Sequence, residues 1–232
     1  MIDAFLICQN EEEMIGHCLD SFVSVADLLG VLSIVDNGST DDTLPIIQSY
    51  MQRLPIALQS EQRHSHHGDL RTLALAACRL SWIFYLDADE TFSSDLRHWL
   101  LSTDLDRSDI WEFFKYTTIL DRDHYVEGGN GPSQRMFRNL AGVHFPQNVH
   151  TEPTALGLSQ KQIADGPLLF DHTACKSREA LVAKGWRYQV HQGTVGIGPW
   201  HEYIGRVDNA HRLGLVREFE PSIRERIFAG PC

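Results

Sequence analysis

No stretch of this chain approaches the roughly 20 consecutive apolar residues that a membrane-spanning helix needs, so no such helix is expected. Basic residues are scarce: 20 Lys and Arg stand against 31 Asp and Glu, giving a net charge of −11. Proteins that grip polyanions generally concentrate Lys and Arg. General nucleic-acid binding is therefore disfavoured, although a local basic groove through Arg187, Arg206, Arg212 and Arg217 stays open. There are five cysteines, an odd number, and no C-x-x-C pair, which removes the usual redox and zinc-ribbon spacings. Cys8, Cys18 and Cys78 lie in apolar patterns and read as buried thiols of a reducing compartment. Met1-Ile2-Asp3 lacks the basic segment of a secretory leader and runs straight into an apolar strand, so a cytoplasmic location is expected. Internal repeats and low-complexity segments are absent.

What is present suits a globular protein. An apolar content of 43% in 232 residues is enough for one large domain with a full core. Apolar, β-branched runs at Ile2 to Cys8, Val31 to Val35, Ile56 to Leu58 and Ser81 to Leu86 alternate with helical patterns. Those helices are expected from Asn10, as N-cap, to about Ala26, from the Ser39/Thr40 caps to about Arg53, and over Leu70 to Leu80. This strand–helix alternation predicts a parallel α/β sheet. The second half is less regular. Helices are expected at Ser94 to Leu101, Arg178 to Gln192 and Leu213 to Phe228, the last interrupted at Pro221. Strands are expected at Ile110 to Ile119 and Leu168 to His172, a short strand or hairpin at Arg135 to Arg138 and Gly142 to Phe145, and a Gly-rich loop at Glu127 to Ser133.

Two polar clusters, Asp36 to Asp42 and Asp87 to Glu90, follow the second and fourth predicted strands. Ligands of parallel sheets bind at the carboxyl ends of strands, so both clusters should face one crevice. In Asp87-Ala88-Asp89 the carboxylates are two residues apart and share a face if the strand continues. A hard divalent cation, Mg²⁺ or Mn²⁺, suits such oxygen ligands; a solvated turn suits them too.

Four segments in order resemble the family 2 inverting glycosyltransferases. Cys8-Gln9-Asn10-Glu11-Glu12 is similar to the family's strand ending in Asn-Glu. Val35-Asp36-Asn37-Gly38-Ser39-Thr40-Asp41-Asp42-Thr43 is similar to its D-x-G-S-x-D-x-T turn. Gly68-Asp69-Leu70-Arg71-Thr72 resembles its G-x-x-x-A-R-N segment, and Asp87-Ala88-Asp89 its D-x-D. Gln134-Arg135-Met136-Phe137-Arg138-Asn139, Phe145, His150-Thr151-Glu152, Asp171-His172, and Lys184 with Arg187 and Tyr188 resemble a lipopolysaccharide-core-type branch, with Thr151 inserted in its H-E pair. The likeness covers roughly residues 2 to 190.

The resemblance implies a GT-A fold: a Rossmann-like mixed, mostly parallel sheet flanked by helices, with a C-terminal helical extension. It divides the chain into a nucleotide-sugar and catalytic domain at 1–175 and an extension at 176–232. It implies transfer of a hexose from a UDP-sugar to an acceptor hydroxyl with inversion, assisted by Mn²⁺ or Mg²⁺. Asp36 would then bind uracil, with Cys8, Asn10, Glu12, Asp69, Arg71 and Ala88 along the nucleotide site. Asp89 and His172 would hold the metal, with Asp87 on the ribose or on metal-bound water. Arg135 and Arg138 would pair with the diphosphate, and Glu152 would deprotonate the acceptor. The acceptor is open: a glycan, lipopolysaccharide core, small molecule, protein or modified nucleobase.

Plainer readings stand beside these. Ser39 and Asp41 also serve as helix caps. His150 and His172 also serve as structural histidines, and Glu152 as a surface residue. His64-Ser65-His66-His67 is a solvated loop rather than a zinc site, lacking adjacent ligands. Gly193 to Gly198 has no preceding strand and is no dinucleotide fingerprint. Trp186, Tyr188, Trp200 and Tyr203 suit helix packing as well as sugar stacking. Two other functions compete: a nucleotidyltransferase, which wants a basic Gly-rich loop where Gln9 to Glu13 is acidic, and a non-catalytic nucleotide-sugar binding module.

Overall fold

The structure, a computed structural model, describes residues 1–61, 66–147, 152–192 and 204–227, with residues 187–192 as backbone only. Parallel strands β1 (Ile2–Cys8), β2 (Leu29–Asp36), β3 (Ile56–Ser60) and β4 (Trp82–Asp87) form one half of an eight-stranded sheet. The other half holds β5 (Glu90–Phe92), β6 (Ile110–Tyr116), β8 (Gly131–Arg138) and β9 (Lys161–Asp171). The spatial order is β3-β2-β1-β4-β8-β6-β9-β5. β8 runs antiparallel to β4 and β6, and β9 runs parallel to β6. Strand β7 (His124–Val126) pairs with β10 (Val216–Glu218) in a separate two-stranded ladder. Helices α1 (Ile15–Val23), α2 (Thr43–Tyr50), α3 (His67–Leu75), α4 (Leu96–Ser102) and α5 (Arg178–Gln192) flank the sheet.

The two-residue period of the central strands explains the layering. Ala4, Leu6 and Cys8 of β1 and Trp82, Phe84 and Leu86 of β4 join the core shared with α1, α2 and α4. Phe5, Ile83 and Tyr85 point the other way, onto Leu70, Ala74 and Leu75 of α3. Strands buried on both faces read as continuous apolar runs, as these do. Rings lock the first core: Phe84 lies edge-on to Phe22, Phe92 and Phe113, with centroids 5.6 to 6.2 Å apart. Such edge-to-face contacts add to burial.

Several local expectations are corrected. Asn10 is not a helix cap. It takes the left-handed backbone at φ 53, and α1 begins at Ile15 after Met14. The reason is a competing partner: Asn10 Oδ1 accepts a hydrogen bond from the Thr40 backbone N–H at 2.8 Å, tying the two strand-end loops together. The Gly-rich segment loses Gly131 to Ser133 to β8. The expected helix over Leu213 to Phe228 is instead β10 followed by a four-residue helix, Pro221–Arg224. Val216 to Glu218 are drawn into strand pairing with His124 to Val126. Phe219 and Ile227 are buried with Ile119 and Phe170. Cys8, Cys18 and Cys78 are buried free thiols. Among the described residues no helix is long and apolar enough to cross a membrane.

Phe84 is fully buried at the centre of the first core. Phe84→Ala should destabilise the protein by about 3–5 kcal/mol, read as a lowered midpoint of urea unfolding. A change below about 1 kcal/mol would contradict this packing.

Candidate active site

The carboxyl ends of β1, β2 and β4 open on a cleft continuous with solvent. Cys8, Glu11, Asn37, Asp87, Ala88, Asp89 and Lys184 are among the residues of its walls. Register explains the convergence, since Cys8 lies beside Asp36 and Ile7 beside Asp87.

Asp36 is buried, and its carboxylate is consumed by its own turn. Oδ2 accepts from the backbone N–H of Gly38 at 3.1 Å and of Ser39 at 3.0 Å, and Oδ1 accepts from the Ser39 hydroxyl. Gly38 takes φ 75, a left-handed conformation that glycine adopts at little cost. The next residue is different. Asn37 is 2% exposed, lines the cleft, and its Oδ1 has no hydrogen-bond partner among the described residues. An unsatisfied buried acceptor is uncommon and calls for an explanation.

β4 ends at Asp87, and Ala88-Asp89 form a turn before β5. Strand alternation therefore stops short, and the two carboxylates meet different cations. Asp87 Oδ1 pairs with Arg71 at 2.6 Å, and Oδ2 with Arg135 at 3.4 Å. Burial would raise the Asp87 pKa, but these guanidiniums outweigh it and hold the carboxyl below the usual carboxylate range. Arg135 also forks onto buried Glu90, at 2.8 Å through Nε and 2.6 Å through Nη2. Lys115 reaches Glu90 at 2.9 Å. Burial opposes the Lys115 charge, yet Glu90 and Asp171 raise its pKa to about 12. Asp171 pairs opposite Glu90 in the β5–β9 ladder, and burial pushes its carboxyl up to about 6.

Asp89 is 4% exposed. Its Oδ2 accepts from the Thr173 hydroxyl at 2.8 Å, lies 2.9 Å from Lys176 Nζ and pairs closely with Lys184 Nζ. Lys176 also pairs closely with buried Glu11, and Lys184 lies 3.9 Å from it. Burial works against the Asp89 charge, and the two ammoniums override it and hold the carboxyl well below its ordinary value. For Glu11 burial wins, and its pKa is raised.

Whether Asp87, Asp89 and His172 fit a divalent cation can be tested on these contacts. A cation site needs several convergent oxygen or nitrogen ligands. Among the described residues no three His, Cys, Asp or Glu side chains converge as such a set. The His172 Nε2 instead shares a hydrogen bond with the Thr91 hydroxyl at 2.9 Å. Burial lowers the His172 pKa to about 4, so the ring is neutral at pH 7. As they stand, these residues do not fit a metal.

Several expected site residues lie elsewhere. Arg138 stands opposite Trp82, at the amino end of β4, and pairs with Asp106 at 3.0 Å and Asp109 at 3.4 Å. Five strand residues, about 17 Å, separate that end from Asp87. Glu152 is 63% exposed and lies 3.6 Å from Lys161. Lys161 starts β9, ten residues before Asp171, so Glu152 sits at the sheet end away from the cleft. Asp69 is outside the cluster too, accepting from Gln147 Nε2 at 3.0 Å. Asn10 and Glu12 stitch the loops, Glu12 accepting from the Asp42 N–H at 2.9 Å. Arg206 donates to the Glu127 carbonyl oxygen and Arg217 pairs with the Glu127 carboxylate, so these two are drawn to one acidic residue. His64, Ser65, His150, Thr151, the Gly193 to Gly198 run, Trp200 and Tyr203, and the side chains of Arg187 and Tyr188, lie outside the described residues.

Sequence reasoning gave no role to Glu11, Glu90, Lys115, Lys176 or Lys184. Lys115 carries a signal, a cation within the apolar run Trp111-Glu112-Phe113-Phe114-Lys115-Tyr116, since a buried Lys is almost always paired. Lys176, in a polar connection before α5, carries none.

A mostly parallel sheet whose acidic strand ends face a cleft, extended by antiparallel strands, is the arrangement of the GT-A glycosyltransferases. Residues 3–100 match the model of glycosyl transferase family 2. The chain is 38% identical over 100 residues to the lipopolysaccharide core biosynthesis glycosyltransferase LpsC of Rhizobium meliloti (strain 1021), covering 43% of this chain and 35% of that protein. It is 27% identical over 152 residues to the glycosyltransferase SunS of Bacillus subtilis (strain 168), covering 64% and 33%. The chain thus spans about a third of the length of these relatives. S. aureus TarS 1-349 superposes with a TM-score of 0.57 at 15% identity, over 90% of this chain and 71% of that one, and has also been solved in complex with UDP.

The His172 environment yields a sign-definite test. A histidine whose pKa drops from 6.5 to about 4 on folding leaves the unfolded chain binding more protons between those values. Its contribution is complete above pH 6.5 and is lost as pH falls toward 4. The stability advantage of the native protein over His172→Gln should shrink by about 3 kcal/mol from pH 7 to pH 4, measured by urea unfolding at each pH. A constant difference would mean that the imidazole titrates freely in the folded protein.

Proposed function

We propose that this chain is the donor-binding and catalytic domain of a glycosyltransferase that moves a hexose from a UDP-sugar to an acceptor hydroxyl, with inversion. The observation that carries the donor half is the cleft wall at the end of β2. Asn37 presents a buried acceptor with no partner among the described residues, and an N–H of a nucleobase, such as the imide N–H of uracil, would satisfy it. Asp36, with both oxygens engaged, holds the turn that aims Asn37. Arg71 and Arg135 fix Asp87 at the floor, where a ribose hydroxyl can donate to it. TarS, which shares the fold, was solved with UDP, and that supports a uridine nucleotide.

The transfer half rests on the family resemblance, as does inversion. Glu152 stands too far from the cleft to remove the acceptor proton there. The name of LpsC favours a saccharide acceptor of the lipopolysaccharide-core kind. The nucleotidyltransferase reading has little support, because the loop after β1 carries Glu11, Glu12 and Glu13 and no basic residue to hold a triphosphate.

The test is turnover and binding across a panel of UDP- and GDP-sugars. One uridine donor should raise the melting temperature through mass action and release UDP slowly in the absence of acceptor. Asn37→Ala should weaken UDP binding about tenfold, the cost of one buried hydrogen bond, with the unfolding midpoint little changed. Equal response to uridine and guanosine donors, or no effect of Asn37→Ala, would refute this base site.

A further inference from the structure

The place where Mg²⁺ or Mn²⁺ was expected is already held by the protein's own cations. Lys176 and Lys184 are 3% and 11% exposed at the side chain, and both converge on Asp89 Oδ2. Glu11 closes the group from the far side. These four residues form a buried, electrically balanced square of two ammoniums and two carboxylates. Lysine is rarely buried without a reason, and replacing such a square by apolar residues is often neutral or stabilising. Its placement against the cleft wall therefore points to a ligand.

Position says which ligand. Lys184 comes from the inward face of α5 and forms part of the cleft wall together with Asp87, Ala88 and Asp89. With the base at Asn37 and the ribose at Asp87, the nucleotide's phosphates continue toward Asp89. The first cation they meet there is Lys184. An ammonium carries three N–H donors, so it can serve Asp89 and a phosphate oxygen together. Lys176 lies behind it, against Glu11, and balances the carboxylate charge when a phosphate draws on Lys184.

We propose that Lys184, backed by Lys176, supplies the positive charge that meets the donor's diphosphate, so that nucleotide binding needs no divalent cation. This deepens the UDP-sugar reading and rests on it. The alternative is purely structural: the lysines only fasten α5 to the sheet.

The experiment is calorimetric titration of UDP into the EDTA-treated protein, repeated with excess MnCl₂. UDP should bind in EDTA with an affinity within about twofold of that in Mn²⁺. In EDTA, Lys184→Met should bind about tenfold more weakly or worse, as expected for loss of a charge-assisted hydrogen bond, and Lys184→Arg should retain most of the affinity. If Lys184→Met does not fold, the EDTA and Mn²⁺ titrations of the native protein and of Lys184→Arg still decide. UDP binding that requires Mn²⁺ would overturn the proposal and leave the UDP-sugar reading intact. So would EDTA binding that Lys184→Met leaves unchanged, which is the outcome of the structural alternative. Failure of UDP to bind under either condition would overturn the donor reading and this proposal together.

Discussion

A carboxylate taken out of water is costly unless a cation goes with it, and the end of this sheet buries several. Glu11, Asp89, Glu90 and Asp171 are each paired with or adjacent to a lysine or arginine, and Asp87 bridges two arginines. Arg135 is the link. It forks onto Glu90, reaches Asp87 and lies over the Tyr85 ring at 5.2 Å. Its planar, always charged guanidinium suits that shared role better than a lysine would. The loops at the ends of β1 and β4, and the start of β5, are thus positioned by charge pairing as much as by packing.

That network also explains why the carboxyl-terminal half matters to a site that its amino-terminal half outlines. Residues 3–100 carry the family match and most of the cleft wall. The neutralising cations come mainly from beyond that segment: Lys115 from β6, Arg135 from β8, and Lys176 and Lys184 from before and within α5. A chain cut after residue 100 would leave Asp87, Asp89, Glu90 and Glu11 with only Arg71 of the cations described around them. The strand ends would then repel one another, so the cleft is a product of both halves.

The parallel half of the fold was legible because its inner strands β1, β2 and β4 are largely buried on both faces and its turns carry residues with one local purpose, such as Gly38. The second half was harder to read. Val216 to Glu218 form a strand only because His124 to Val126 lie beside them, a pairing across 90 residues that local pattern cannot reveal. At the site, Asp87 and Asp89 were visible as a pair. Their separation into two cation environments was not, because it depends on β4 stopping at Asp87. Arg138 and Glu152 failed for a similar reason: short sequence motifs do not say at which end of a strand they fall. Lys184 stood in a recognised spacing without a role, since nothing local shows that α5 turns it onto Asp89.

The most direct measurement is a crystal structure of the protein with UDP grown in EDTA. The expected result is uracil against Asn37 and the diphosphate within hydrogen-bond distance of Lys184 Nζ, with Lys176 still on Glu11. Nucleotide bound away from the β1–β2–β4 strand ends, or no nucleotide in EDTA but a metal-bridged diphosphate on Asp89 when Mn²⁺ is supplied, would contradict it.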